Sequence, residues 1–555
     1  MPKTSSTLLL ALAGVAATAL AAAPVSFDWF EYSGLDRTRA EPLPAGHYAN
    51  PILTGFYPDP SICRVGDDYY LTNSTFAYYP GLPIFHSKDL VNWEQIGHAI
   101  DRPDQLRYQG LGVSRGIFAP AITHHDDTFY LICTMVDGDG NFVITAKDPA
   151  GPWSDPHRLR FSGIDPSLFF DDDGRVWIVN NDDPEGKPLY DGHRAIRIRE
   201  LDLETMQIKG ESKVLVNGGV DISTKPIWIE GPHIYKREGW YYLSCAEGGT
   251  GPGHSQVIFR SRNVTGPYVA WENNPIMTQR HLPDDVPGAV TCVGHADLEI
   301  GPDGNWWATF LGVRPYDGHA SPMGRETFLL PVEWTEDGWP TILPMDQRVP
   351  LTHASPGGAV VKPTVELPLA GNFTWRDEFD QPELASAWIM LRTPSEIWWH
   401  VDSGFEGKLQ LTPRADVLSE RGNPSYLARR VQHHDFEAAT LAQVPVESGV
   451  SAGLVLFQNE GFHYYLGVKR DGQQVQLFLE QVREGKKQIV RTFELPDASQ
   501  VALRVRAEKA RCAFDFSLDG AHWMPLATDL DARMITTAAA GGFVGATVGP
   551  HTRTE

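Results

Sequence analysis

Cysteine is scarce. Five residues in a chain of 555 are too few for a disulfide framework at this size, and no pair has metal-ligand spacing. Cys63, Cys133, Cys245 and Cys512 lie in strand-like apolar runs, which reads as buried free thiols. Positive charge is short as well: 47 Lys and Arg face 70 Asp and Glu, for a net charge of −23. A chain this acidic repels phosphate backbones, so nucleic acid is not an expected partner. The apolar run from Leu8 to Leu20 is too short to span a bilayer, and no later stretch is long enough to do so. Helical periodicity is almost missing. The glycine-rich run from Gly248 to Gly253 lacks the Lys-Ser/Thr ending of a phosphate loop and reads as a rim segment near Glu230.

Turn signals and aromatic residues are plentiful instead. There are 52 Gly, 42 Pro and 16 Trp, and short alternating runs are separated by Asp-Gly, Asp-Asp and Gly-Pro turns, the pattern of an all-β chain. Five stretches repeat one unit. They run from Asp59-Pro-Ser-Ile to Leu71, Ala119-Pro-Ala-Ile to Leu131, Asp165-Pro-Ser-Leu to Ile178, Glu230-Gly-Pro-His-Ile to Leu243, and His295-Ala-Asp-Leu to Ala308, with heads 46 to 65 positions apart. Units of this period, each a hairpin around an Asp/Gly turn, predict a five-bladed β-propeller. A second echo supports the repeat: Trp93, Trp153 and Tyr268 close similar corners and read as structural pegs.

The chain divides accordingly. Residues 1–22 read as an export leader, with Lys3 before the apolar run and small residues at Ala19, Ala21, Ala22 and Ala23 around its end, so the mature protein is expected to be soluble and secreted or periplasmic. Residues 23–46 read as a short lead strapped to the catalytic domain, 47–350 as the propeller, and 351–370 as a Pro- and Gly-containing linker. Residues 371–555 carry further short strands and predict a β-sandwich, jelly-roll or concanavalin-like.

Equivalent positions of a propeller converge on its axis, so Asp59, Asp165 and Glu230 are expected to meet at one end of one channel. Each Asp alone could be a turn residue capping its own backbone, but Glu is a poor turn former. Three acids at one repeat position point to chemistry. Two carboxylates across a pocket can cleave a glycosidic bond, one protonating the leaving oxygen and the other attacking or activating water. A third beside the proton donor would raise its pKa. No metal is required. A sugar-binding propeller without catalysis is the rival from another class, and it would be marked by a missing acid or base.

The segments Tyr57-Pro-Asp-Pro-Ser, Ile229-Glu-Gly-Pro-His, Gly294-His-Ala-Asp and Leu311-Gly-Val-Arg-Pro resemble glycoside hydrolase family 43 over about residues 47–350. Gly81-Leu-Pro-Ile-Phe-His-Ser, Ala246-Glu-Gly-Gly-Thr-Gly and Gly324-Arg-Glu-Thr-Phe resemble its β-xylosidase and α-L-arabinofuranosidase branch, whose β-sandwich the residues from about 374 resemble. The resemblance implies Asp59 as general base, Glu230 as general acid and Asp165 as the residue that tunes and orients the acid. It implies inversion at the anomeric carbon, for which the two carboxyls stand roughly 6.5–9.5 Å apart. It places Phe76 and Phe118 in the wall of the sugar pocket, where many relatives carry Trp at the second position, and Arg314 on the sugar hydroxyls. His295 matches an axial histidine near which relatives often hold a calcium ion or a water cluster, so a structural Ca²⁺ is possible though no cofactor is required. The expected substrates are xylo- or arabino-oligosaccharides of plant walls, attacked from the end. An endo-arabinanase is a weaker alternative.

Overall fold

A computed structural model describes residues 22–316, 318–357, 367–404 and 407–555. The leader expected at residues 1–22 lies outside the described residues except for Ala22, as do residues 358–366 of the linker. Nearly all the regular secondary structure of the described residues is strand, with one short α-helix at Thr537–Ala540.

Five antiparallel sheets form the propeller. Blade I is Ser61–Val65, Asp68–Thr72, Gly81–Ser87 and Glu94–Ile100, taken from the inside outward. Blade II has Ala121–His125 innermost, followed by Thr128–Val136, Gly140–Ala146 and His157–Arg158. Blades III, IV and V begin with Ile164–Phe170, Glu230–Arg237 and Thr291–Ile300. The innermost strands stand side by side in chain order, and that of blade V returns to that of blade I. The ring therefore closes.

Two devices hold it closed. Five apolar cores fill the wedges between successive blades, one of them joining blade V to blade I through Trp307, Leu329, Tyr69 and Phe85. Close-packed wedges of this kind supply the main stabilising term of an all-β ring. The second device is Asp297, buried at the inner edge of blade V. It accepts hydrogen bonds from Ser61 Oγ (2.8 Å) and the Ile62 N–H (3.0 Å) of blade I and from the Tyr235 hydroxyl (2.7 Å) of blade IV. Trp93, Trp153 and Tyr268 are pegs, each donating to a backbone carbonyl three or four residues upstream.

The sandwich has two eight-stranded sheets around one core. Here the expected role of the N-terminal lead is corrected. Val25–Leu35 is a strand of the sandwich, paired with Phe373–Asp377, Lys408–Leu411 and Asp435–Gln443. Its Phe27, Phe30 and Tyr32 point into the sandwich core, and burying three aromatic rings outweighs any attachment to the propeller. Residues 36–39 reach across to the propeller, through Asp36 on Arg314 and Arg39 on the Pro51 carbonyl. The other sheet takes in Tyr78–Tyr79 of the propeller as its edge strand, paired with Ile389–Leu391. A shared sheet and a shared apolar core lock the two domains together beside the end of the channel where the blade heads lie.

Candidate active site

The blade heads are set by backbone geometry. Asp59, Asp165 and His295 have φ of 53°, 53° and 54°, a left-handed conformation uncommon outside glycine and found where surrounding structure holds a functional side chain in place. The ladders shift register just after the heads of blades III, IV and V, between Ile164 and Ser167, Glu230 and His233, and Gly294 and Asp297. These are the bulges that turn a side chain toward the axis. In blade IV the left-handed residue is Gly231 (φ 55°), packed so closely that a Cβ there would lie 2.8 Å from the His295 ring. Glycine is required at that point.

The heads converge on a cavity of about 210 Å³ that Asp59, Asp165, Glu230 and His295 line together. Ala119, at the head of blade II, adds no charge and leaves room. Asp59 is buried and accepts from Ser74 Oγ at 2.6 Å and from Arg325 Nη1 at 2.7 Å. Burial alone would raise its pKa, but Arg325, with His295 and the Ser74 hydroxyl, holds the carboxyl below the usual range. Glu230 behaves oppositely. Burial first, and the Asp165 carboxylate second, push it up to about 8. Asp165 accepts the Gly231 N–H at 3.3 Å and faces His295 Nε2 at 3.5 Å. Burial would strip the proton from His295, but the hydrogen bond to Asp165 and the nearby carboxylates outweigh it and raise the imidazole to about 9. The cavity thus holds an ionised acid, a protonated acid and an imidazolium near neutral pH.

Phe76 and Phe118 lie in the wall, edge to face at 5.5 Å. A third ring, Phe543, comes from the sandwich and stacks on Phe76 at 6.1 Å. It is fixed by its own N–H, which donates to Ser114 Oγ at 2.9 Å. Trp228, Thr250 and Gly249 complete the mouth, and Arg115 stands over Phe118 while paired with Asp137.

The expectation for Arg314 is corrected. Its guanidinium is buried between Glu326 (2.7 and 2.8 Å) and Asp36, outside the cavity. The guanidinium beside Asp59 belongs to Arg325, at the entrance of the next strand, which also stands over the rings of Phe76 and Phe543. Its phrase Gly324-Arg-Glu-Thr-Phe was visible in the sequence. Phe543 carried no signal, since it lies far away in the other domain. His295 offers a ring nitrogen, whereas Ca²⁺ takes six to eight oxygens. Among the described residues no group of three or more His, Cys, Asp or Glu is arranged to hold a metal.

With this geometry in view, comparison with known proteins is unambiguous. The profile of Glycosyl hydrolases family 43 matches residues 48–340, and that of the Beta xylosidase C-terminal Concanavalin A-like domain matches residues 376–552. The chain belongs to glycosyl hydrolase family 43 and is a glycosyl hydrolase. It is 41% identical over 514 residues to a xylosidase/arabinosidase of Butyrivibrio fibrisolvens, covering 90% of this chain and 94% of that protein. It is 36% identical to a non-reducing end α-L-arabinofuranosidase of Bacteroides ovatus, with 91% of each chain covered. Among solved structures, a GH43_12 protein retrieved from capybara gut metagenome superposes with a TM-score of 0.89 at 42% identity, over 96% of this chain and all of that one.

Proposed function

We propose that the protein is an exo-acting, inverting glycosidase that removes a terminal pentose from plant-wall oligosaccharides, β-D-xylose first and α-L-arabinofuranose second. The observation that carries the reading is the opposite tuning of Asp59 and Glu230 around one cavity. Protonated Glu230 gives its proton to the glycosidic oxygen as that bond breaks. A water attacks the anomeric carbon from the other face and loses a proton to ionised Asp59, so hydrolysis is complete in one displacement. Asp165 keeps the acid protonated through its charge and, through the Gly231 N–H, keeps its strand in place. Arg325 keeps the base ionised. Proton exchange with solvent then resets both carboxyls.

Phe543 supports exo action, because the ring from the sandwich narrows the cavity where a continuing chain would have to pass. The names of the Butyrivibrio and Bacteroides relatives favour a pentose and keep arabinofuranose as the second reading. The chemistry uses only side chains of this chain, and Ca²⁺ has no step in it. An export leader fits a substrate found outside the cytoplasm, and N-terminal sequencing of the exported protein should begin at Ala22 or Ala23.

The test is turnover of p-nitrophenyl β-D-xyloside and α-L-arabinofuranoside, with xylo-oligosaccharides alongside, by the wild type, Glu230→Gln and Asp59→Asn. Proton NMR of the first sugar released should show the inverted anomer. Asp59→Asn cleaving xylo-oligosaccharides at the wild-type rate would remove Asp59 from the role of base.

A further inference from the structure

At the mouth of the cavity, two residues before Glu230, Trp228 is 40% exposed, and the adjoining Ile227 is 42% exposed. So much uncovered apolar surface beside a site asks for an occupant. Trp228 also has φ 51°, a rare conformation for a bulky residue, and three contacts hold it there. Its N–H donates to Gly192 O (2.9 Å), and the Gly248 N–H donates to Ile227 O (2.9 Å). The Arg194 guanidinium stands 5.2 Å from the ring centroid and is anchored to Asn181 Oδ1 at 3.1 Å and to Asp183. Asn181 in turn donates to Ile229 O at 2.6 Å, next to the acid. Beneath the loop, buried Glu247 accepts the Val220 N–H at 2.9 Å. An indole fixed this firmly and left partly uncovered is built to meet a flat apolar face.

Building on the glycosidase reading above, we propose that Trp228, continued by Ile227, is the platform for the sugar on the leaving-group side of the scissile bond. It would take the apolar face of a pyranose, so the preferred substrates are oligosaccharides with a pyranose backbone rather than glycosides with small aglycones. Trp228 is a specificity-determining residue, and it takes no part in proton transfer.

The experiment compares Trp228→Ala and Trp228→Phe with wild type on two substrates that share the donor sugar. One is a linear xylo-trisaccharide, and the other is the corresponding pentosyl fluoride, whose leaving group cannot reach the platform. Trp228→Ala should lose about five- to tenfold in kcat/KM on the trisaccharide, the worth of one aromatic contact, and change less than about twofold on the fluoride. Trp228→Phe should recover most of the loss. Equal losses on both substrates, or no loss on either, would overturn the platform. A wild type that cleaves neither substrate would instead sink the glycosidase reading itself.

Discussion

Asp59 enters the cavity from blade I among cations, whereas Glu230 enters from blade IV beside another carboxylate. Both are buried carboxyls at equivalent positions of one repeat, so burial pushes both toward the neutral form. The neighbours decide the outcome. Arg325 and His295 reverse the effect of burial at Asp59, while Asp165 adds to it at Glu230. A repeated backbone thus delivers one functional group to two surroundings, and the difference between them favours an ionised carboxyl at Asp59 and a protonated one at Glu230, the pair that the proposed mechanism uses.

The largest effect should come from removing either member. Glu230→Gln and Asp59→Asn should each lower kcat on xylo-oligosaccharides by about 10²- to 10⁴-fold, read by reducing-sugar release, while thermal unfolding stays near that of the wild type. The two buried arginines of blade V sharpen the contrast next. Arg314→Ala strands Glu326 without its cation and should cost about 3–5 kcal/mol of stability, measured by denaturant unfolding, with KM of the folded protein unchanged. Arg325→Ala should leave Asp59 without its main cation, raise the pKa of the base and move the acid limb of kcat/KM to higher pH.

Asp165→Asn acts on the other side of the cavity. It removes the charge that adds to burial at Glu230, so the alkaline limb should move down by about one pH unit. His295 also loses charge in this variant, an opposing but smaller effect, since Asp165 ranks above His295 among the influences on Glu230. The smallest change expected is from Phe543→Ala. It should raise KM severalfold and let products longer than one sugar appear, which chromatography of the digest would reveal.

The repeat was legible because the heads share neighbours in sequence: Asp59-Pro, Asp165-Pro and Glu230-Gly-Pro stand before the same apolar hairpin. That similarity was enough to anticipate the ring and the three acids at its axis. Contacts set from far away were not legible. Arg314 and Arg325 flank the mouth of one hairpin, and which of them faces the cavity depends partly on Asp36, 278 positions from Arg314. The strand Val25–Leu35 pairs with Asp435–Gln443 some 400 positions later, and nothing beside it in the sequence marks so distant a partner. Phe543 belongs to the site only because the two domains share a sheet. Trp228 stood two residues from the acid, but a lone Trp before a strand looks the same whether it is core or platform.

The most direct test of the account is the pH dependence of kcat/KM for the wild-type protein on a xylo-oligosaccharide, which reports the acid and base of the free enzyme. The proposed mechanism requires Asp59 ionised and Glu230 protonated. The plateau should therefore start below the ordinary carboxylate range and end as pH rises through about 8. An alkaline limb that already falls between pH ~4 and ~5, where an unperturbed glutamic acid ionises, would contradict it.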